Sequence, residues 1–265
     1  MKRSVLVLTY HHVNDHEGDL VTVSPRIFEQ QIAALAERGY TFLTADDFAA
    51  IIRGGREAPR RPVLITFDDG YLDTWLHAYP VLKRFGARAC LFLVTSWVAD
   101  RSDRREPGVF IPDHEDTTAA LTRHGAEAEC ALTWGEVEAM ARDGVMDVQS
   151  HTQTHLRCRV SENSAEAIAR ELAGSREIIE SRLGKSCRHL AWPKGKYDAE
   201  AIRLARSLGY EALFTTLRGA NPVPGDLSEI KRLEVKPKHP AWLLSRMGIY
   251  ARPLVGGLYS RMRGE

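Results

Sequence analysis

The sequence predicts an α/β fold, a closed or nearly closed barrel of seven or eight β/α units, and three observations predict it. Short β-branched runs alternate with amphipathic helical stretches along almost the whole chain, the order that builds a parallel sheet covered by helices. Several of the runs are apolar on both faces, as strands of a covered sheet are. A glycine stands just past nearly every helical stretch, where a left-handed terminal residue is commonly found.

The units follow in order. SVLVLTY (4–10) is the first strand and PRIFEQQIAALAER (25–38) the first helix, closed by Gly39. TADDFAAIIR (44–53) opens with Thr44 and Asp47 at capping-box spacing and closes at Gly54. PVLITFDD (62–69) is a strand, DTWLHAYPVLKRF (73–85) a helix and ARACLFLV (87–94) a strand. TWGEVEAMARD (133–143), headed by Thr133 and Glu136, leads to the strand MDVQS (146–150). NSAEAIARELAGSREIIESRL (163–183) and DAEAIRLARSL (198–208) are helices on either side of the strand CRHLAW (187–192). EALFTT (211–216) and EIKRLEV (229–235) are the last strands. The segment 100–129 interrupts the pattern; it is charged, irregular and long, and reads as an insertion on the barrel rim. The barrel therefore spans 1–235, and 236–265 is a basic, partly apolar C-terminal extension.

The chain has 265 residues, 44% of them hydrophobic, enough for one large domain with its own core. Thirty-six basic residues against 35 acidic ones give a formal charge of +1, so no global field recruits nucleic acid. No apolar run approaches the roughly 18–20 residues that span a bilayer. The opening MKRSVLVLTYHH lacks the apolar stretch of about 7–15 residues of a secretory signal, so the expected address is the cytoplasm. Cys90, Cys130, Cys158 and Cys187 contain no C-x-x-C pair and suit a reducing compartment as buried thiols.

Four segments carry chemistry, each at a strand end. In PVLITFDDGY an apolar strand runs into Asp68, Asp69 and Gly70. Adjacent carboxylates resist both ionising, and a bound cation resolves the conflict by taking one and leaving the other as a base. Read alone, the pair also suits a helix N-cap beside a solvated acid. His151 and His155, in SHTQTH, stand at i and i+4; on one face of a helical turn both reach a single metal. Two imidazoles and a carboxylate with open positions suit Zn²⁺ in a hydrolase or Fe²⁺ in an oxygenase. In Trp192-Pro193-Lys194-Gly195-Lys196-Tyr197 a rigid turn follows a strand, and its amides could receive an oxyanion; an ordinary turn is the plainer reading. Tyr10-His11-His12 ends the first strand, and an imidazole there is either a general acid or a satisfied core histidine.

Together these segments resemble the polysaccharide deacetylase family, the NodB-homology or carbohydrate esterase family 4 domain. TFDDG (66–70) is similar to its first motif, HTQTH (151–155) to its second and AWPKGKY (191–197) to its third. The likeness runs in motif order from about residue 5 to 235. It implies an irregular (β/α)7–8 barrel of the NodB-homology type. It also implies Asp68 as base, with Asp69, His151 and His155 holding a divalent ion, foremost Zn²⁺, with Ni²⁺, Co²⁺ or Fe²⁺ as alternatives. The backbone N–H of Tyr197 would hold the oxyanion. The family's late L-x-H motif is absent, His239 having the wrong surroundings; YHHV at the front is similar to the poly-β-1,6-N-acetylglucosamine deacetylases, which points to His11 as acid, with His12 as the alternative. Lys194 stands where the family usually has an aromatic residue. The arginine that often tethers the catalytic Asp is missing from the third motif, and Arg232 is the candidate to replace it. Trp192, Pro193 and Arg232 are candidate substrate contacts.

The activity so implied is metal-dependent removal of an N-acetyl group from an amino sugar of a glycan or glycan precursor, releasing acetate. A non-catalytic glycan-binding module on the same barrel, a deacylase of small non-sugar amides and a ferrous oxygenase are the alternatives. A cytoplasmic enzyme would meet a nucleotide-linked, lipid-linked or core sugar before export. From Lys231 onward eight basic residues face only Glu234 and Glu265, interleaved with Trp242, Leu243, Tyr250 and others. Such a stretch either docks on the inner face of an anionic membrane or forms a final helix packed on the barrel.

Overall fold

A computed structural model describes residues 4–16, 18–19, 21–101, 103–121 and 127–251. β1 (Ser4–Tyr10) is followed by the short pair β2 (His12–Val13) and β3 (Thr22–Val23), then α1 (Pro25–Glu37), β4 (Thr41–Phe42) and α2 (Ala45–Ile52). β5 (Pro62–Asp69), a π-helical turn at Thr74–Ala78, α3 (Tyr79–Arg84) and β6 (Ala89–Leu93) come next. After the rim segment come α6 (Trp134–Arg142), β7 (Met146–Ser150), α7 (Ala165–Leu183), β8 (His189–Ala191), α8 (Ala199–Ser207) and β9 (Ala212–Phe214). The chain ends in β10 (Asn221–Pro222), β11 (Leu233–Glu234) and α9 (Pro240–Tyr250).

The strands β1, β5, β6, β7, β8 and β9 pair in that order, all parallel, so the sheet curls into an irregular barrel. Its seam lies at the free edge of β1, shared by antiparallel β10 and parallel β11. A bridge from Phe214 to Ile230 reaches toward β11 from the other side. The strand expected over 229–235 is thus reduced to two residues and one bridge. The helix expected over 73–85 starts with the π-helical turn.

Period-two alternation sorts the side chains. Val5, Val7, Leu64, Cys90, Phe92 and Phe214 belong to one buried cluster, into which α2 inserts Phe48, Ile51 and Ile52. Leu43 N–H bonds to the Val63 carbonyl and Ala45 N–H to Asp147, so α2 plugs the barrel at the starting ends of the strands. Leu6, Leu8, Tyr10, Ile65 and Phe67 face the other way, into the larger cluster under the helices. The inner row of β1 is therefore Val5, Val7, Thr9 and then His11, and that of β5 is Leu64, Thr66 and Asp68. Apolar at the plugged end, polar at the open end, this alternation puts the titratable groups above the core.

The rim segment is less irregular than its sequence suggests. It carries α4 (His114–Leu121) and the single turn α5 (Glu127–Cys130). Arg105 anchors it, donating to Glu136 from Nε and Nη2 at 2.9 and 2.6 Å and to the Ala131 carbonyl at 2.6 Å. Glu136 closes a full capping box with Thr133 at the start of α6. The four cysteines are free and buried. No helix among the described residues is long and apolar enough to cross a membrane. In the C-terminal extension α9 buries Leu243, Met247 and Tyr250 in the main core; Arg252, Arg261, Arg263 and Glu265 lie outside the described residues.

Candidate active site

Above the plugged core opens a cavity of about 900 Å³. Its floor is made by strand ends. β5 delivers Asp68 inward and Asp69 beside it, and the chain then leaves through two left-handed residues, Asp69 at φ 77° and Gly70 at φ 92°. A Cβ on Gly70 would lie 2.5 Å from the Leu93 side chain, so this exit requires glycine. A left-handed non-glycine residue such as Asp69 stores about 1–3 kcal/mol of strain.

The loop 151–155 brings the two imidazoles to the same place, but not on a helical turn. Thr152 and His155 both have positive φ, 66° and 64°. The H-x-x-x-H spacing fits a helix, yet here Glu171 of α7 directs the backbone: it accepts from the amides of Gln153 and Thr154 at 3.0 and 2.7 Å and from the Thr154 hydroxyl at 2.8 Å. His151 N–H bonds to the Leu93 carbonyl at 2.9 Å. The His151 ring donates from Nδ1 to the Ala191 carbonyl at 2.8 Å, which leaves Nε2 as the free donor of a lone pair. That Nε2 is 3.3 Å from Asp69 Oδ1, and His155 Nε2 is 3.5 Å from the same oxygen.

Asp69 Oδ1 is buried without a hydrogen-bond partner. A buried carboxylate oxygen in that condition is costly, and a divalent cation shared with the two imidazoles satisfies it. The donor atoms of Asp69, His151 and His155 lie within 4.8 Å of one another, and no other such trio occurs among the described residues. Burial pushes Asp69 up, but the neighbouring imidazoles more than offset it and hold the carboxyl far below its usual range. Burial drives His155 down to about 4, so it is a neutral ligand at working pH. This chemistry fits a borderline-soft divalent ion.

Asp68 has a different environment. Arg232 donates to both of its oxygens, Nη1 to Oδ1 at 2.7 Å and Nη2 to Oδ2 at 2.8 Å. Arg232 is itself buried and fixed by an Nε bond to the Thr215 carbonyl at 2.8 Å. Burial raises the Asp68 pKa, but Arg232 together with His151 and His11 more than offsets it, so the carboxylate stays ionised. His11 Nε2 stands 3.9 Å from Asp68 Oδ2 with 25% of the side chain exposed.

His12 points the other way, as the next residue along a strand must. It is 1% exposed, its Nδ1 lies 2.7 Å from Asp73 Oδ2, and its ring stacks on Tyr71 at 3.8 Å. Of the third segment, Trp192 and Lys194 line the cavity. Pro193 and Tyr197 are not among the lining residues; Tyr197 stacks behind Trp192 at 5.5 Å and its hydroxyl donates to Glu229 at 2.5 Å.

Sequence reasoning missed several wall residues. Tyr71, within hydrogen-bonding reach of Asp69, stands one residue past Gly70 at the end of the acidic segment. Trp97, 5.1 Å from the His155 ring, and His114 at the start of α4 line the same cavity. Neither sits in a recognisable pattern. Glu171 is one carboxylate among many on a helix.

The sequence model of a family described as polysaccharide deacetylase matches residues 55–213, more than half of the chain. A Bacillus subtilis protein provisionally named a polysaccharide deacetylase is 25% identical over 231 residues, 87% of this chain and 71% of its own. The poly-beta-1,6-N-acetyl-D-glucosamine N-deacetylase of Escherichia coli is 24% identical over 241 residues, 81% of this chain but 34% of the relative. The chain thus spans about a third of that protein. Among solved structures, the Streptococcus pyogenes deacetylase PplD in complex with acetate superimposes with a TM-score of 0.76 at 22% identity, covering 92% of this chain and 98% of that one. The fold is therefore shared along nearly the full length of both.

Proposed function

The chain belongs to the polysaccharide deacetylase family, and from that premise we propose that it hydrolyses the N-acetyl group of an amino sugar in a glycan or glycan precursor. Water adds to the acetyl carbon, the C–N bond breaks, and acetate and a free amine leave. The observation that carries this reading is the partnerless Asp69 Oδ1 facing two imidazoles, one residue away from an ionised carboxylate clamped by arginine.

Asp69, His151 and His155 would hold a divalent ion, which when bound supplies Lewis-acid polarisation of an amide carbonyl and acidifies water. Zinc is the proposed ion on the strength of the donor set, with nickel, cobalt and iron sharing the same chemistry. Asp68 takes the proton from the attacking water. Arg232 occupies one lone pair on each of its oxygens and leaves others open, so it orients the base without blocking it. Its pairing also keeps Asp68 in the deprotonated form the step needs. His11, a quarter exposed at the same floor, gives a proton to the leaving nitrogen as general acid. The Tyr197 N–H remains the proposed oxyanion donor, from the turn that also carries the cavity-lining Trp192 and Lys194.

Free buried thiols agree with a cytoplasmic location. Peripheral contact with an anionic membrane is supported by the composition from Lys231 onward alone.

The test is acetate release from N-acetylated amino-sugar oligomers by protein stripped with chelator and reloaded with Zn²⁺. We expect activity only after reloading, and none in Asp69→Asn. Equal acetate release by stripped protein, or none from any N-acetylated sugar after reloading, would overturn the reading.

A further inference from the structure

The cavity holds one cation whose partner is missing. Arg232 is committed to Asp68, and Arg218 lies 3.5 Å from Glu234. Lys194 lines the same cavity, is exposed toward it, and forms no hydrogen bond or ion pair among the described residues. It shares the cavity lining with Asp69, His151 and His155.

The backbone holds Lys194 there at an energetic cost. It has φ 53° and ψ 19° and is followed by Gly195 at φ 61°, two left-handed residues in succession. Lysine is a poor choice for such a position, and strain of this kind clusters where a side chain must be presented. The turn is also wedged. A Cβ on Gly195 would lie 2.2 Å from Thr216 Oγ1, Gly195 N–H bonds to the Trp192 carbonyl and Lys196 N–H to the Pro193 carbonyl, and Trp192 is fully buried. Lys194 is thus fixed at its root while its ammonium is free.

The charges of the cavity sum accordingly. Asp68 cancels Arg232, Glu234 is shared between Arg218 at 3.5 Å and Lys236 at 2.8 Å, and a divalent ion would exceed the single charge of Asp69. What is left over is positive, with Lys194 its most accessible part. A neutral sugar hydroxyl accepts only an ordinary hydrogen bond from an ammonium, whereas a phosphate or carboxylate forms a stronger bond in which both partners are charged.

Resting on the deacetylase reading above, we propose that the substrate is an anionic amino-sugar glycan, and that Lys194 is the residue that reads its negative charge. The shared chemistry is an oxyanion near the N-acetyl group, from a phosphate ester or from a uronic acid.

Three N-acetylated oligosaccharides of equal length test this with the zinc-loaded full chain: neutral, phosphorylated and uronate-containing. We expect kcat/KM for at least one anionic arm to exceed the neutral arm by about tenfold, and the preferred arm identifies the source of the charge. High salt should shrink the preference, because the contact is exposed to screening. Lys194→Gly, which the left-handed backbone tolerates, should collapse the anionic-to-neutral ratio to near one, and Lys194→Arg should keep most of it. Equal rates on all three arms, or a ratio unchanged in Lys194→Gly, would overturn the inference while leaving the deacetylase reading intact. Acetate from none of the arms would remove both.

Discussion

At the floor of the cavity the titratable groups ride on or just beyond parallel strand ends, whereas one side of the wall, with His114, Thr118 and Leu121, comes from the rim segment. Asp68, His11 and His151 are placed by the pleat of β5, β1 and β7, where one residue more or less would turn them out of the cavity, and Asp69 by the left-handed backbone that ends β5. His114 and Leu121 are placed by anchors far along the chain: Arg105 on Glu136, Trp75 Nε1 on the Arg105 carbonyl at 2.8 Å, and His16 Nε2 against the Ile111 carbonyl at 2.7 Å. The floor tolerates little change because chemistry needs its atoms in fixed relation. The wall tolerates more, and so it is where substrate preference can vary.

The largest expected effect is on the floor. Asp68→Asn should lower kcat by about 10²–10⁴-fold, the usual worth of a positioned base, while zinc affinity by calorimetry changes by no more than a few-fold. A variant that turned over near the wild-type rate would remove Asp68 from the mechanism.

Arg232→Leu leaves Asp68 as a buried, unpaired charge, and breaking such a pair typically loses about 3–5 kcal/mol; urea unfolding at pH 7 measures it. The pH dependence has a definite sign. The folded pKa of Asp68 is depressed, so the stability it contributes is present above about pH 3.9, its unfolded value, and is lost as pH falls through the folded value. The gap between wild type and variant should therefore narrow on acidification. A gap that is constant with pH would mean that Arg232 acts by packing.

Saturation with zinc at a hundred times its dissociation constant should add about 2.7 kcal/mol to stability, read as a rise in Tm. Chelator should reverse it, and Asp69→Asn should show none. An equal rise in Asp69→Asn would place the ion elsewhere.

On the wall, Thr133→Ala removes one half of the capping box and the hydroxyl that donates to the Asp103 carbonyl at 2.6 Å. A loss of about 1 kcal/mol is expected, with KM raised more than kcat is lowered. If kcat fell by orders of magnitude instead, wall and floor would not be separable.

The smallest effect concerns the polar group behind the floor. Burial lowers the His12 pKa, but Asp73, with smaller help from Asp69 and Asp19, more than offsets it. A raised folded pKa contributes stability that is fully present below about pH 6.5 and lost as pH rises through the folded value. Asp73→Asn should flatten the slope of stability between pH 6 and pH 8. An unchanged slope would show that His12 is not protonated in the fold.

The same division explains what the sequence made legible. Strand alternation and helix breakers are local, so β1, β5 and β7 appear in the sequence at their structural boundaries, and with them Asp68, Asp69 and His151. The i, i+4 spacing of His151 and His155 misled about backbone shape, because a carboxylate 16 residues beyond His155, Glu171, decides it. Arg232 meets Asp68 across 164 residues of chain, a pairing that no local pattern encodes and that only the family likeness suggested. The wall was least legible, since α4 has a weak amphipathic pattern and His114 no motif around it.

The seam of the barrel has a consequence for how the molecule comes into being. β1 is made long before its edge partners at 221–222 and 233–234, and closing so long a loop delays the pairing. During synthesis the acidic pair emerges with β5 long before its guanidinium partner does. Closure of the barrel and the pairing of Arg232 with Asp68 thus come in one late event, so a chain that stops before Arg232 lacks the clamp on that carboxylate.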